Sequence, residues 1–324
     1  MTYAIRFRRT GGPEVLEWQS IEVGKPGPGE VRLRHTAIGL NYIDTYHRSG
    51  LYPLALPSGL GIEAAGVIEE VGAKVKELKV GDRVAYAGGP VGAYAQARVL
   101  SAERLVKLPK TISDQQAAGA LLKGMTAEYL LRRTYKVQPG ETILIHAAAG
   151  GVGLIMCQWA KALRAKVIGT VSSEQKAALA RKYGCHFPII VTRENFVERV
   201  HQITRGKRLG VVYDSVGKDT FMGSLDCLAP RGLLVIFGNA SGAVPPFDPL
   251  LLTAKGSLFV TRPTLGNYTA TREELTASAK ALFKVIAAGT VRILVNQTYA
   301  LQDAAHAHRD LEARKTTGST VLLP

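Results

Sequence analysis

The stretch Thr142-Ile-Leu-Ile-His-Ala-Ala-Ala-Gly-Gly-Val-Gly-Leu-Ile155 decides the fold. An apolar run ends in small residues, and an apolar run of helical length follows from Val152 to Leu163. Ala148-x-Gly150-x-x-Gly153 has the spacing of the dinucleotide fingerprint, with Ala in place of its first Gly. Small residues are required there for physical reasons. A tight turn leaves the strand, the backbone must approach a pyrophosphate, and the helix must pack closely on the strand. Ala149, Gly150, Gly151 and Val152 then present free N–H groups to the phosphates, which the helix dipole also favours. The competing reading is an ordinary tight strand-to-helix turn. Strand, turn and helix in succession favour phosphate binding.

Outward from this turn, strand and helix alternate. Lys166–Val171 is expected as a second strand, with a helix through Tyr183. Phe187–Val191 reads as a third strand, weakened by Pro188, and Gly210–Tyr213 and Leu233–Phe237 complete the set. Thr220–Leu228 lies between those two as a helix. Ser257–Thr261 is a further strand, and Arg272–Ala288 a long helix before an apolar Val321-Leu-Leu. This alternation predicts a parallel sheet wrapped by helices.

Toward the amino terminus the period changes. From Tyr3 to about Val106, short apolar runs such as Val31–Leu33, Ala65–Ile68 and Arg83–Ala85 are separated by Gly, Pro and Asp. That punctuation predicts a compact, barrel-like β domain. Gln115–Tyr135 carries Ala, Leu and Tyr at helical intervals. At 324 residues the chain suits two domains.

Composition narrows the function classes. Hydrophobic content of 46% with 21% charged residues describes a globular chain. No apolar run reaches the ~18 residues needed to span a membrane. The amino terminus reads as a strand opening the fold, so a cytoplasmic protein is expected. Cys157, Cys185 and Cys227 form no close pair, which supports neither a disulfide framework nor a metal knuckle, and Cys157 reads as a small buried apolar residue. The net charge of +15 favours anionic partners. The basic residues are scattered, however, so RNA binding is compatible with the charge but not predicted.

The second strand addresses which dinucleotide is bound. An acid at its end would meet the adenosine ribose hydroxyls and select NAD; its absence with cations nearby accommodates the extra phosphate of NADP. Here Ser172 stands at that place, and Lys176 follows one helical turn later. Ser172 also reads as a helix cap with Gln175 as its reciprocal partner. Glu174 is the competing feature, an NAD-selecting acid displaced by two residues, but its place in the first helical turn suits the dipole better. NADPH is the expected cofactor.

At this point the chain resembles a known family over nearly its whole length. Gly11-Gly-Pro-Glu-Val-Leu16, Gly59-Leu-Gly-Ile-Glu-Ala-Ala-Gly66, Val80-Gly-Asp-Arg-Val84 and the Ala-Gly-Gly-Val-Gly turn look like the zinc-independent quinone oxidoreductases of the medium-chain dehydrogenase/reductase superfamily, which include zeta-crystallin. Gly39-x-Asn41-x-x-Asp44, continuing to Tyr52, strengthens the match to the bacterial NADPH:quinone oxidoreductases. The resemblance implies an α/β protein: a GroES-like catalytic domain (1–123), a doubly wound Rossmann domain binding NADP (124–262), and a C-terminal segment (263–324) returning to the catalytic domain. It places the catalytic cleft between the two domains. Zinc members of the superfamily carry Cys where this chain has Asn41 and His where it has Ile62; no metal is expected. The four-cysteine structural lobe is also missing.

The same resemblance implies the site. Asn41 occupies the metal-ligand position and projects toward the nicotinamide. Tyr46 and Tyr52 line the active site as hydrogen-bond donors, or are packed aromatics. Lys123 is a substrate anchor or a surface cation, and Thr126 lies near the nicotinamide face. Phe237 and Ser241 end a Rossmann strand and approach the nicotinamide half, as carboxyl ends of strands do. Arg262 reaches the same cleft. Arg314 matches an arginine near the adenosine phosphate, or is a solvated helix-end cation. His146 reads as a strand residue beside the cofactor turn, and the histidines offer no base with a recognisable partner. One departure loosens the NADPH assignment. The family's Tyr after the third strand is absent from Ile189-Ile-Val-Thr-Arg193, where Thr192 or Arg193 stands instead.

The expected activity is zinc-independent, NADPH-dependent reduction of a quinone by hydride or by single electrons. Without a Lewis acid, an acceptor that is already electron-poor is the suitable one. The alternatives are an alkenal or enone reductase on the same scaffold, or a nucleotide- or RNA-binding protein without turnover. The family also implies a homodimer formed through Rossmann edge strands, with Ser257–Thr261 as the edge.

Overall fold

The computed structural model describes all 324 residues, Met1–Pro324. In chain order, the first stretch contains β1 (Thr2–Phe7), β2 (Glu17–Ile21), β3 (Glu30–Leu40), α1 (Tyr42–Ser49), β4 (Ser58–Gly59), β5 (Glu63–Val71), β6 (Arg83–Ala87), β7 (Ala97–Ser101), β8 (Val106–Lys107) and α2 (Asp114–Tyr129). Next come β9 (Thr142–Ile145), α3 (Gly151–Ala162), β10 (Lys166–Val171), α4 (Glu174–Lys182), β11 (Phe187–Ile190), α5 (Phe196–Thr204), β12 (Leu209–Asp214), α6 (Phe221–Asp226), β13 (Leu228–Ile236), α7 (Leu250–Ala254), β14 (Phe259–Thr261) and α8 (Leu265–Tyr268). The chain closes with α9 (Arg272–Ala287), β15 (Val295–Ala300), α10 (Ala304–Glu312) and β16 (Ser319–Leu323).

Two compact units result. One comprises Met1–Met125, Thr269–Ala287 and Ile293–Pro324; the other comprises Thr126–Tyr268 and Ala288–Arg292. Residues 263–268 and 288–292, assigned from sequence to the C-terminal segment, therefore pack with the second unit.

The first unit is the GroES-like domain. A sheet ordered β15-β16-β3-β5-β6-β8, with β7 also on β3, stands beside the smaller sheet β2-β1-β4. The C-terminal strand pairs antiparallel with β3, Thr320 facing Leu40 and Leu322 facing Ile38. Its core gathers Phe7, Leu33, Ile38, Leu60, Ile68, Tyr94 and Leu322.

The second unit is the Rossmann domain. Six strands run parallel in the order β11-β10-β9-β12-β13-β14. Ile143, Leu144 and Ile145 are fully buried, as expected of a central parallel strand covered on both faces. Pro188 is tolerated because β11 is an edge strand, where a missing N–H costs little. The helix expected over 115–135 is α-helical only to Tyr129 and ends in a π-helical turn over Leu130–Thr134.

Candidate active site

In the GroES-like unit, chemistry gathers around Glu63, whose carboxylate is fully buried. Asn41, the residue between β3 and α1, donates from Nδ2 to Glu63 Oε2 at 2.8 Å. The Leu122 N–H donates to Glu63 Oε1 at 2.6 Å. Lys123 Nζ lies 3.5 Å from Glu63 Oε2 and 3.2 Å from the Leu40 carbonyl. A carboxylate only accepts, so the amide nitrogen of Asn41 must face it. Burial pushes the Glu63 pKa up, while Lys123 and then Asn41 pull it back. Gly39 is required here, because a Cβ at that position would overlap both Glu63 Oε2 and the Ala118 carbonyl. The reading of Lys123 as a surface cation is thus corrected: its side chain is 8% exposed and held by a buried carboxylate.

Helix α1 is fixed from both ends. Asp44 Oδ2 accepts the Asn41 backbone N–H at 2.9 Å and the Tyr94 hydroxyl at 3.0 Å. Tyr94 meets His308 Nε2 at 3.1 Å, and His308 Nδ1 meets Arg48 Nη1 at 3.0 Å. Arg48 is buried and forms a bidentate pair with Glu312 at 2.6 and 3.0 Å. Arginine only donates, so His308 accepts at Nδ1 and carries its proton on Nε2. Burial, then Arg48, depress His308 to about 3. Asp44 is pushed by burial to about 7. His308 is thus a partnered but weakly basic histidine, and its partner Arg48 lies 260 residues away in sequence.

Tyr46 is buried and its ring packs edge-on to Tyr52 at 5.3 Å, with Tyr42 at 5.8 Å. Tyr52 is half-buried, and its N–H donates to the Tyr46 carbonyl. Arg314 adopts a left-handed backbone (φ +58) just past α10; burial pushes the Tyr42 phenol up, and the Arg314 charge partly offsets it.

In the Rossmann unit, Gly150 caps α3 and its N–H donates to the Ala147 carbonyl at 2.9 Å. A Cβ on Gly153 would overlap that carbonyl and stand 2.8 Å from Ala148 Cα, so this glycine is demanded by helix–strand contact. The Ala replacing the first fingerprint glycine is accommodated from the neighbouring strand. Gly169 of β10 faces the Ala148 methyl, and a Cβ there would lie 2.6 Å from it. Val152 and Gly151 occupy the first turn of α3, where N–H groups lack intrahelical acceptors.

The helix cap after β10 is Ser173, not Ser172: Ser173 Oγ accepts the Lys176 N–H at 3.3 Å. One residue of offset leaves the Ser172 side chain outside the cap. The competing acid Glu174 pairs with Arg193 at 2.7 Å, so acid and cation at this edge face one another. Thr192 Oγ1 donates to the Ser172 carbonyl at 3.4 Å.

Phe237 continues from β13, its N–H on the Asp214 carbonyl at 2.7 Å. Ser241 Oγ donates to the Val216 carbonyl at 2.9 Å and accepts the Asp219 N–H at 3.0 Å. Arg262 Nη1 donates to the Ile236 carbonyl at 3.1 Å, at the end of β13. Thr126 lies one helical turn before Tyr129 on α2, and the Tyr129 ring stacks on Tyr268 at 4.3 Å. Tyr129 and Tyr268 escaped the sequence reading because stacking of distant aromatics has no local signature.

Two family models match the chain: an alcohol dehydrogenase GroES-like domain over residues 27–110, and a zinc-binding dehydrogenase over 151–281. A quinone oxidoreductase of Pseudomonas aeruginosa is 59% identical, with both chains covered in full. The crystal structure of Escherichia coli quinone oxidoreductase complexed with NADPH superposes with a TM-score of 0.98 at 52% identity, again over the whole of both chains. A 2-haloacrylate reductase from a Burkholderia species is 50% identical over 100% of this chain and 99% of that one. With such identity sustained from end to end, and both domains in place, the chain belongs to the quinone oxidoreductases of the medium-chain dehydrogenase/reductase superfamily.

Proposed function

We propose that this protein is an NADPH-dependent quinone reductase that works without zinc. The observation carrying the zinc-free reading is the donor set on Glu63. An amide N–H and an ammonium point at the carboxylate where a metal would need lone pairs. Asn41 and Lys123 therefore do not fit a zinc ion.

The Rossmann turn does fit a dinucleotide. Ala149, Gly150, Gly151 and Val152 offer a close-approach turn and helix-start N–H groups to the pyrophosphate. Ser172 and Lys176 suit the adenosine phosphate. Thr126, Phe237, Ser241 and Arg262 belong to the nicotinamide half. When bound, the dihydronicotinamide supplies the hydride; one hydride and one proton convert quinone to quinol.

The protein's part is orientation and charge. Glu63, itself held by Lys123, fixes Asn41 in a single amide orientation, which presents a fixed dipole to the reacting carbonyl. Tyr46 and Tyr52 donate hydrogen bonds to the oxygen that gains charge, the stabilisation that such donors supply most effectively when preorganised. The kinship with a 2-haloacrylate reductase favours a second reading, reduction of an activated alkene. Turnover with 1,4-benzoquinone against 2-chloroacrylate and an enone panel separates the two. A chain that consumes NADPH only with the alkenes overturns the quinone assignment.

We also place the protein in the cytoplasm and infer a homodimer through β14. That strand ends the Rossmann sheet, and Phe259 on it is 61% exposed. Light scattering on Phe259→Glu should then read a monomer; a wild-type monomer contradicts the dimer.

A further inference from the structure

The strand order of the Rossmann unit reverses between β9 and β12, the point at which open α/β sheets bind their ligands. A chain of buried polar side chains crosses that point. Asp214 ends β12 and is fully buried. Its Oδ1 accepts the Val216 and Gly217 N–H groups at 2.8 and 3.0 Å. Its Oδ2 accepts the hydroxyls of Thr220 and Ser224 at 2.7 and 3.2 Å.

These bonds settle every proton further along. Ser224 gives its one proton to Asp214, so its oxygen accepts from His146 Nε2 at 3.0 Å. The imidazole, carrying its proton on Nε2, accepts at Nδ1 from the Thr170 hydroxyl at 3.0 Å. The Thr170 oxygen in turn accepts the Ala147 N–H at 3.2 Å. Ala147 has a left-handed backbone (φ +52), and its carbonyl receives Gly150 N–H at the start of the fingerprint turn. Burial holds the His146 pKa below its ordinary value although Asp214 pulls upward, and Phe196 covers the ring edge-on at 5.0 Å.

We propose that Thr170, His146, Ser224 and Asp214 form a one-directional hydrogen-bond relay that positions the dinucleotide site by locking the turn after β9 to the loop after β12. They act as positioning residues, since none needs to touch the ligand. The relay extends to the loop after β13, because Ser241 bonds the Val216 carbonyl and the Asp219 N–H. Each hydroxyl has one proton, and Thr170, His146, Ser224 and Asp214 are all buried, so removing one of these side chains leaves its buried neighbours unpaired. The strained Ala147 turn is the element that loses its tether first.

This inference rests on the NADPH reading, and its test separates the two. NADPH dissociation constants are measured by nicotinamide fluorescence on the full chain and on Thr170→Val, Thr170→Ser and Ser224→Ala, each checked for folding by circular dichroism. The relay predicts about tenfold weaker binding for Thr170→Val and Ser224→Ala, with Thr170→Ser, which keeps the hydroxyl, near wild type. Nitrogen-15 spectra of wild type should show His146 neutral and protonated on Nε2. Folded variants that bind as wild type overturn the relay while leaving the cofactor assignment standing, and an Nδ1-protonated His146 overturns it even where a variant does not fold. A wild-type chain that binds no NADPH overturns the cofactor assignment, and the positioning role falls with it.

Discussion

Asn41 Nδ2 stands 2.8 Å from Glu63 Oε2, and the carboxylate it faces has no solvent exposure. The pair closes a buried cluster in which the countercharge is Lys123. Breaking a buried pair from one side is strongly unfavourable, by about 3–5 kcal/mol, because the remaining charge has no compensation. Glu63→Gln should therefore lower the unfolding free energy by roughly that amount in urea titrations. Adding Lys123→Met should recover most of the loss. A double variant no more stable than Glu63→Gln would show that the ion pair is not the cause.

Asp44 makes stability depend on pH. Its folded-state pKa is raised by burial from 3.8 to about 7, with one carboxyl oxygen, Oδ1, lacking any partner. The sign follows from the raised value: its contribution is complete below 3.8 and is lost progressively as pH rises to about 7. At about 1.4 kcal/mol per unit, the change is on the order of a few kcal/mol. Asp44→Asn should flatten the urea midpoint between pH 4 and 7. An unchanged slope in that variant would remove Asp44 as its source.

Two fingerprint glycines should respond differently to alanine. At Gly153 the added methyl meets backbone that cannot move aside, whereas at Gly150 it meets only the Ala147 carbonyl, at 3.2 Å. Gly153→Ala should cost about 1–3 kcal/mol, the usual range for overpacking, and abolish NADPH binding. Gly150→Ala should melt closer to wild type. Thermal denaturation and nicotinamide fluorescence read both effects, and equal melting points would contradict the contact argument.

Cofactor choice turns on the edge after β10. Lys176→Ala should weaken NADPH binding by about tenfold, the scale of one charged hydrogen bond, and leave NADH nearly unchanged. Arg193→Ala removes an ion pair whose partners are 64% and 66% exposed, so its effect on stability should stay within about 1 kcal/mol. Equal losses for both nucleotides in Lys176→Ala would mean that the lysine does not read the extra phosphate.

What could be read from sequence was what repeats or is local. The parallel strands announced themselves as apolar runs of strand length, and Lys166–Val171 was legible to the residue because β-branched residues fill a central strand. Gly153 was legible because its requirement is steric and lies within its own turn. Glu63 stood inside a recognised motif, yet its part as the acceptor for Asn41, Leu122 and Lys123 depends on partners brought from the start of α1 and from α2. The Arg48–His308 contact was invisible, since no spacing rule joins residues 260 positions apart. Ser172 was mistaken for the cap by one residue because Ser172 and Ser173 are chemically identical candidates, and only backbone geometry chooses between them.

Zinc-free reduction of quinone by NADPH is measured by following NADPH consumption with 1,4-benzoquinone before and after exhaustive chelation, with metal content determined on the same sample. Protein free of zinc should oxidise NADPH rapidly and at an unchanged rate. Activity that disappears on chelation and returns with added zinc would contradict it.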